Sequence, residues 1–316
     1  MRFWDTVLSE EYCPEEDIYQ FLKDSFDKIR REHPFASYIP SSWPSTDILH
    51  EITWKSSGQF LFASTTVKYI GGDPYELPTR RLDVIRRLQP PRGQEDLPYA
   101  ELNSLYNHVL LNVPDIEKVK QVLGILIIVN SEVEDYLIDS TDKLDSLFFW
   151  QPSEAKASLS QLSSIIGCDA NGGISILHAS LSDFLLDPSR SHQLYLCRGS
   201  VLGDCAALGL RHLRQQKLHG EVCHSTLSEV NSSCANLQLD QLLYSSLTED
   251  CISASPFCTP LLLEELNQLS FQTLYRVYKM HERTDYFWWF VSKIIEMLHI
   301  KVGRNSPHCS ESVTDT

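Results

Sequence analysis

The sequence lacks two motifs that would mark an enzyme. No GxxxxGK[ST] stretch is present, so no glycine-rich loop of that kind surrounds nucleotide phosphates. No GxSxG elbow is present either, and His178, the most distinctive histidine, has no sequence partner that identifies a catalytic triad. The nine cysteines are odd in number and include no CxxC pair, which argues against both structural zinc and a disulfide framework. We therefore expect reduced thiols, no metal and no catalysis of these kinds.

Long apolar runs and basic residues are also scarce. The longest strongly apolar stretch, Val122 to Val129, is far shorter than the roughly 20 residues that span a bilayer. The N-terminus turns acidic before any run suited to a signal peptide. With 27 basic against 42 acidic side chains, the net charge of -15 repels nucleic acid and anionic lipid at long range. We expect a cytoplasmic protein that binds neither nucleic acid nor membrane.

What is present is the periodicity of a mainly α-helical protein, long enough for more than one domain. Residues 1–113 predict a helical domain whose first helix starts at Pro14 and stops near Pro34. Ser45 is placed to cap a second helix, and residues 56–70 predict a third, packed through Phe60, Leu61, Val67 and Ile70. Two more helices are predicted over 79–88 and 99–113.

Residues 114–188 predict a winged-helix domain. A helix to about Asn130, a short helix after Ser131 and a third helix over 152–166 precede two short apolar runs. These runs, 165–170 and 174–178, flank Asn171-Gly172-Gly173, and Asn-Gly is a strong hairpin signal. Three helices closed by a β-hairpin describe a winged helix. The apolar run and acidic pair of 125–135 superficially resemble a magnesium-binding strand, but a buried first helix explains the same residues.

Winged helices often bind DNA through the third helix. The negative charge of this region argues against DNA binding in this chain. Residues 115–188 carry four basic and twelve acidic side chains, a net of -8, and the predicted third helix has only Lys156. Neutralising phosphates requires lysine and arginine. DNA binding is therefore disfavoured.

The remaining sequence predicts a helical C-terminal extension. We expect a helical continuation over 189–218, a Ser-rich linker over 219–236, a helical region over 237–302 and a disordered tail over 303–316. The aromatic cluster over 286–290 fits a helix core better than an exposed docking surface, although both interpretations stay open.

Six ordered sequence blocks resemble the NACHT proteins of mushroom-forming fungi. They cover roughly residues 10–215 and read DIYQFLKDSFDKIR, HPFASYIPSSWPS, KSSGQFLFASTTVKYI, RLDVI, LPYAELNSLYNHVL and ILHASLSDFLLDPSRS. In that family, a P-loop NTPase core precedes the first block, and the helical and winged-helix domains clamp ADP. Here Met1 lies just upstream of the first block, so the resemblance implies a chain without the P-loop core.

The resemblance assigns two residues to a nucleotide pocket. His178 matches the winged-helix histidine that contacts the β-phosphate of ADP, with a structural histidine as the alternative. Gly58 matches the glycine of a short turn beside adenine, although Phe60 stands where relatives often have proline, and a helix junction is the alternative. Without a phosphate-cradling loop, we expect no cofactor and only residual ADP or ATP binding at most.

These observations favour a non-catalytic, NACHT-related signalling module that binds protein partners, either NACHT relatives or itself. One alternative is a regulator that completes or blocks the nucleotide site of a full-length NACHT protein in trans. A third interpretation, a winged-helix DNA-binding protein, is disfavoured by charge.

Overall fold

The computed structural model describes residues 14–90, 99–132, 138–220, 259–272, 275, 288–289 and 291–295. Within these ranges the chain is mainly helical and contains one two-stranded antiparallel sheet, which confirms the predicted helical class. The chain divides into two units. Unit 1 combines residues 1–116 with 158–194, and unit 2 combines 117–157 with 195–316.

Unit 1 begins with five helices, each within a few residues of its predicted position. They are α1 (Pro14–Glu32), α2 (Thr46–Ser56), α3 (Phe60–Gly71), α4 (Pro78–Arg87) and α5 (Ala100–Leu111). Acidic side chains in the first turn of α1 and basic ones in its last turn match the helix dipole. Ser45 caps α2 as predicted, because its side chain accepts a hydrogen bond from the Ile48 amide.

Helices α1 and α2 run antiparallel. The rings of Tyr19 and His50 stack with centroids 4.7 Å apart, and Phe26 meets Trp43, just before α2, at 5.2 Å. The 3.6-residue period predicts five α1 side chains on one face, and Phe21 among them is only partly buried. The other four are buried: Ile18, Leu22, Phe26 and Ile29. Large apolar residues at helical spacing therefore suffice to place α1.

The prediction of which α3 residues are buried was mostly wrong. Of its four predicted positions only Ile70 is buried, and Phe60 is 43% exposed. The buried face instead includes small side chains, among them Ala63, Thr65 and Thr66. Small residues let α1, α2, α4 and α5 pack closely against α3, a role that a pattern of large apolar residues does not reveal.

The predicted hairpin is confirmed, with shorter strands. Strand β1 (Ile166–Cys168) pairs antiparallel with β2 (Ile174–Ile176), and Ile166 lies opposite Ile176. In the connecting turn the carboxylate of Asp169 accepts hydrogen bonds from the amides of Asn171 and Gly173. Gly172 has a φ of +83°, which glycine adopts without a Cβ penalty.

Two short helices follow the hairpin in unit 1, α10 (Ala179–Leu185) and α11 (Pro188–Ser191). The buried ring of Tyr106 on α5 packs against Phe184, and its hydroxyl lies 2.9 Å from Ser180 Oγ. Arg190 donates a hydrogen bond to the side-chain oxygen of Asn103 at 2.9 Å. These contacts join the hairpin segment to α5.

The remaining described elements belong mainly to unit 2. They are α6 (Ile116–Gly124), a π-helical turn (Ile125–Val129), α7 (Asn130–Glu132), α8 (Thr141–Phe148), α9 (Glu154–Leu159), α12 (Arg198–Gly220) and α13 (Pro260–Asn267). Residues 125–129 are helical and mostly buried, as the predicted buried first helix requires. Residues 133–135 of the acidic stretch lie outside the described residues.

The third helix of the predicted winged-helix region is shorter than expected. Pro152–Ile166 was predicted to be helical, whereas α9 covers only Glu154–Leu159 and a 3₁₀ turn follows over Ser160–Leu162. Serine side chains compete for backbone hydrogen bonds, which weakens a helix over this Ser-rich sequence. Ile166 then begins β1.

Several predicted segments lie wholly or largely outside the described residues. The tail over 303–316 is among them, as are nearly all of the 219–236 linker and three residues of the aromatic cluster over 286–290. In the described part of the 237–302 region, α13 is helical and its cap residue Thr259 accepts a hydrogen bond from Leu262.

Candidate functional site

His178 occupies the position that the sequence predicts, between the second strand and the following helix. It is extended, with φ -145° and ψ 123°, and immediately precedes α10. Its carbonyl oxygen accepts a hydrogen bond from the Leu181 amide at 3.0 Å, which starts the helix. The hairpin therefore fixes the backbone of His178 from one side and α10 from the other.

The side chain of His178 has an unusual environment. Its Nε2 atom is buried and has no hydrogen-bond partner among the described residues. Leu177 donates to the Ile165 carbonyl at 3.1 Å, which continues the ladder beyond β1 and β2. Ser164 lies in the turn that leads into β1, two residues before the first residue of that strand.

Ser164 was not predicted as a site residue. It is 2% exposed, and its Oγ atom also lacks a partner within the described part of the chain. Two buried polar atoms that lack partners among the described residues thus belong to the segments on either side of the hairpin, Ser164 before β1 and His178 after β2. Since buried polar groups are normally hydrogen-bonded, this end of the hairpin is suited to a small polar group.

The electrostatics favour a neutral imidazole. Burial lowers the pKa of His178, and the positive charge of Lys68 on α3 lowers it further. A neutral imidazole has one donor and one acceptor nitrogen, and the serine hydroxyl can act as either. The pair could therefore bind an oxygen-bearing ligand, and Lys68 adds a positive potential that favours anions.

Gly58, the second candidate, lies in the junction between α2 and α3. Ser57 and Gly58 both have positive φ angles, 47° and 73°. A Cβ on Gly58 would meet Pro14 Cγ only at an ordinary 3.7 Å, so backbone conformation rather than space favours glycine there. A helix junction, the alternative given by the sequence, therefore accounts for this glycine.

The structure does not bring the two candidates together. Helix α3 begins two residues after Gly58, whereas Lys68, whose charge acts on His178, lies in its last turn. At about 1.5 Å per residue, the eight helical steps from Phe60 to Lys68 correspond to about 12 Å. Gly58 thus lies at the opposite end of α3 from Lys68, the residue whose charge acts on His178.

Two exposed aromatic side chains flank the α2–α3 junction. Trp54 at the end of α2 is 77% exposed, and Phe60 begins α3. Phe60 was interpreted from the sequence as a core residue, but it is exposed, although its ring centroid lies 5.3 Å from that of Phe21 on α1. The exposure of Trp54 could not be predicted from the sequence, because it depends on which helices pack around α2.

Among the described residues, no group of three or more His, Cys, Asp and Glu side chains is placed to hold a metal ion. In the same part of the chain, no helix combines the length and apolar character needed to cross a membrane. Cys168, Cys197 and Cys205, the cysteines that the structure describes, form no disulfide. Comparisons with protein-family models, curated proteins and solved structures gave no match.

Proposed function

We propose that this chain is a non-catalytic interaction module related to the helical and winged-helix regions of fungal NACHT proteins. The proposal starts from the six ordered sequence blocks over residues 10–215. The structural observation that carries it is the pair of exposed aromatic residues, Trp54 and Phe60, at the α2–α3 junction. This junction lies in the region that, by resemblance, faces an NTPase core.

The exposure of Trp54 and Phe60 contrasts with the interior of unit 1. Five large side chains of the first five helices are almost completely inaccessible: Ile18, Leu22, Ile52, Leu105 and Tyr106. Their apolar faces are packed against each other, so any docking surface is smaller than a whole uncovered helix face. Aromatic residues are enriched at protein interfaces, and each of these two leaves apolar area accessible to a partner. A limited contact through the junction fits a signalling module.

The pair formed by His178 and Ser164 supports a remnant of a nucleotide pocket rather than a working one. One neutral imidazole and one hydroxyl cannot replace the amide-lined loop and lysine that hold nucleotide phosphates. We therefore propose that the chain neither hydrolyses ATP nor binds ADP tightly. Calorimetry with ADP tests this directly. Micromolar affinity that is lost in His178→Ala but kept in the surface variant Tyr75→Phe would contradict it.

We also propose that residues 114–188 form a winged helix and that it does not bind DNA. The order of α6, α8, α9 and the β1–β2 hairpin along the chain supports the winged helix. The net charge of -8 over 115–188 supports the absence of DNA binding. A gel shift with duplex DNA at about 0.15 M salt is the test. Submicromolar binding that Lys156→Glu abolishes would overturn this part of the proposal.

A second candidate function is regulation of a full-length NACHT protein in trans. The exposed pair of Trp54 and Phe60 favours it, because the same surface could contact the core of a separate molecule. Both functions take place in a reducing cytoplasm, a location that we propose from the odd, unclustered cysteines. Binding to an isolated NACHT core, with and without nucleotide, separates a regulator from a simple interaction module.

A further inference from the structure

Helices α1 and α2 carry an exposed surface that combines aromatic and acidic side chains. The stacked pair of Tyr19 and His50 fixes the alignment of the two antiparallel helices. One turn from this pair, in the same direction along both axes, lie Glu15 on α1 and Trp54 on α2. Pro14, at the start of α1, lies close to Gly58, which follows the end of α2, and this proximity agrees with the same alignment. We call Glu15, Glu16, Tyr19, His50 and Trp54 the α1–α2 face.

The α1–α2 face is negatively charged beside its most exposed ring. Glu15 and Glu16 are exposed in the first turn of α1, and neither forms an ion pair within the described part of the chain. Lys23 lies one turn from Tyr19 in the opposite direction, away from Trp54. The surroundings of Trp54 on this face therefore combine an accessible indole with two carboxylates.

This combination suits one class of ligand. An indole face attracts an ammonium or guanidinium group, and neighbouring carboxylates add a Coulombic attraction and accept hydrogen bonds. The net charge of -15 attracts a basic partner at long range as well. An acidic segment or nucleic acid would be repelled by the same charges, and a second copy of this chain would bring like charge to the face.

Building on the proposed function, we infer that the α1–α2 face docks an arginine- or lysine-rich segment of a protein partner. One cationic side chain lies over the exposed indole of Trp54. Its neighbours along the segment pair with Glu15 and Glu16. The stacked rings of Tyr19 and His50 extend the apolar part of the surface.

The test measures binding of a fluorescein-labelled oligo-arginine peptide to the full chain by fluorescence anisotropy at about 0.15 M salt. We expect Trp54→Ala to weaken binding by about threefold to thirtyfold, as loss of one cation–π contact implies. Trp54→Phe should keep part of the affinity, and the paired change Glu15→Gln with Glu16→Gln should weaken it. An oligo-glutamate peptide should not bind.

Two matched controls separate this face from the overall negative charge. Tyr75→Ala removes another exposed ring, 89% accessible, and Asp83→Asn removes an exposed carboxylate from α4. Neither should change the affinity. All these positions are exposed, and circular dichroism of each variant verifies that the fold is intact.

Equal affinities of the wild-type chain and Trp54→Ala would overturn the inference and assign the binding to diffuse charge. Loss of a homodimer in Trp54→Ala, measured by sedimentation without peptide, would also overturn it by identifying a second copy as the occupant. Association with a NACHT core is measured separately. If the core binds while the peptide does not, the inference fails and the proposed function stands.

Discussion

The ring of His212 stacks on that of Phe149 with centroids 3.9 Å apart in unit 2. His212 is 3% exposed, and its Nε2 lies 3.0 Å from the Leu147 carbonyl oxygen. Because a carbonyl can only accept, Nε2 carries the proton and donates it. The buried imidazole thus joins α12 to the end of α8.

The stability of the protein should fall as the pH drops below 6.5. Burial lowers the pKa of His212 below its ordinary 6.5, an effect that hydrogen bonds to two carbonyls oppose and the charge of Arg211 reinforces. As the pH falls, the unfolded state therefore binds a proton first, and stability is lost from about pH 6.5 down to the folded pKa. The slope from this group is at most about 1.4 kcal/mol per pH unit.

Urea unfolding at a series of pH values from about 7.5 to 5.5 measures this effect. His212→Phe should be less stable at neutral pH, since the Leu147 carbonyl loses its donor, but its stability should depend less on pH. An unchanged pH slope in His212→Phe would show that other groups cause the loss.

Removing the two arginine partners of Glu265 should lower the free energy of unfolding more than removing Glu265 itself. This carboxylate is 2% exposed, with Oε1 at 2.7 Å from Arg211 Nε and Oε2 at 3.0 Å from Arg214 Nη2. The second contact lacks good hydrogen-bond geometry, since Oε2 has no hydrogen-bond partner in the described part of the chain. Losing both arginines would leave a buried unpaired charge, at a cost of about 3–5 kcal/mol.

Chemical denaturation of the double variant Arg211→Ala with Arg214→Ala, compared with Glu265→Leu, tests this asymmetry. Lys28→Ala is the matched control, because Lys28 and Glu32 form an exposed pair that should contribute less than about 1 kcal/mol. If the double arginine variant is as stable as Glu265→Leu, the carboxylate is not buried in solution.

Gly58→Ala should destabilise the protein by about 1–2 kcal/mol, because an alanine at a φ of +73° places its Cβ close to the following carbonyl. Ser57→Gly should stabilise it, since Ser57 has a φ of 47°. Thermal unfolding without nucleotide measures both. If Gly58→Ala changes only nucleotide affinity, the adenine role that the resemblance implies would replace the junction role.

Ser164→Ala should leave stability unchanged or raise it. The Ser164 hydroxyl is buried and has no partner among the residues that the structure describes, so removing it eliminates an unsatisfied polar atom. Ser180→Ala is the contrasting control, because the Ser180 hydroxyl is hydrogen-bonded to the Tyr106 hydroxyl. Losing this bond should lower the free energy of unfolding by about 0.5–1.5 kcal/mol. A destabilised Ser164→Ala would show that the hydroxyl is hydrogen-bonded in solution.

The sequence predicts elements well where large side chains repeat at a fixed period or a turn has specific chemistry. The helical period of α5 predicts an apolar face that is buried in full, and Asn171-Gly172 marks the hairpin turn. The residues of that face are Leu102, Leu105, Tyr106, Val109 and Leu110. The face of α3 could not be predicted, because small residues become buried only when neighbouring helices come close. The length of α9 depended on competition between serine side chains and the helical backbone.

The candidate site shows the same limit. The position of His178 at the end of a strand follows from sequence, and so does the junction around Gly58. The position of Ser164 just before the first strand follows from the hairpin, but the burial of its hydroxyl comes from tertiary packing. The exposure of Trp54 has the same origin, since an aromatic residue at helical spacing is more often covered.

Light scattering of the purified chain, alone and with a co-expressed fungal NACHT core, tests the central claim most directly. We predict a stable complex with the core that Trp54→Ala weakens and Tyr75→Ala does not. A monomer that ignores the core and is unaffected by Trp54→Ala would contradict the account of this chain as an interaction module.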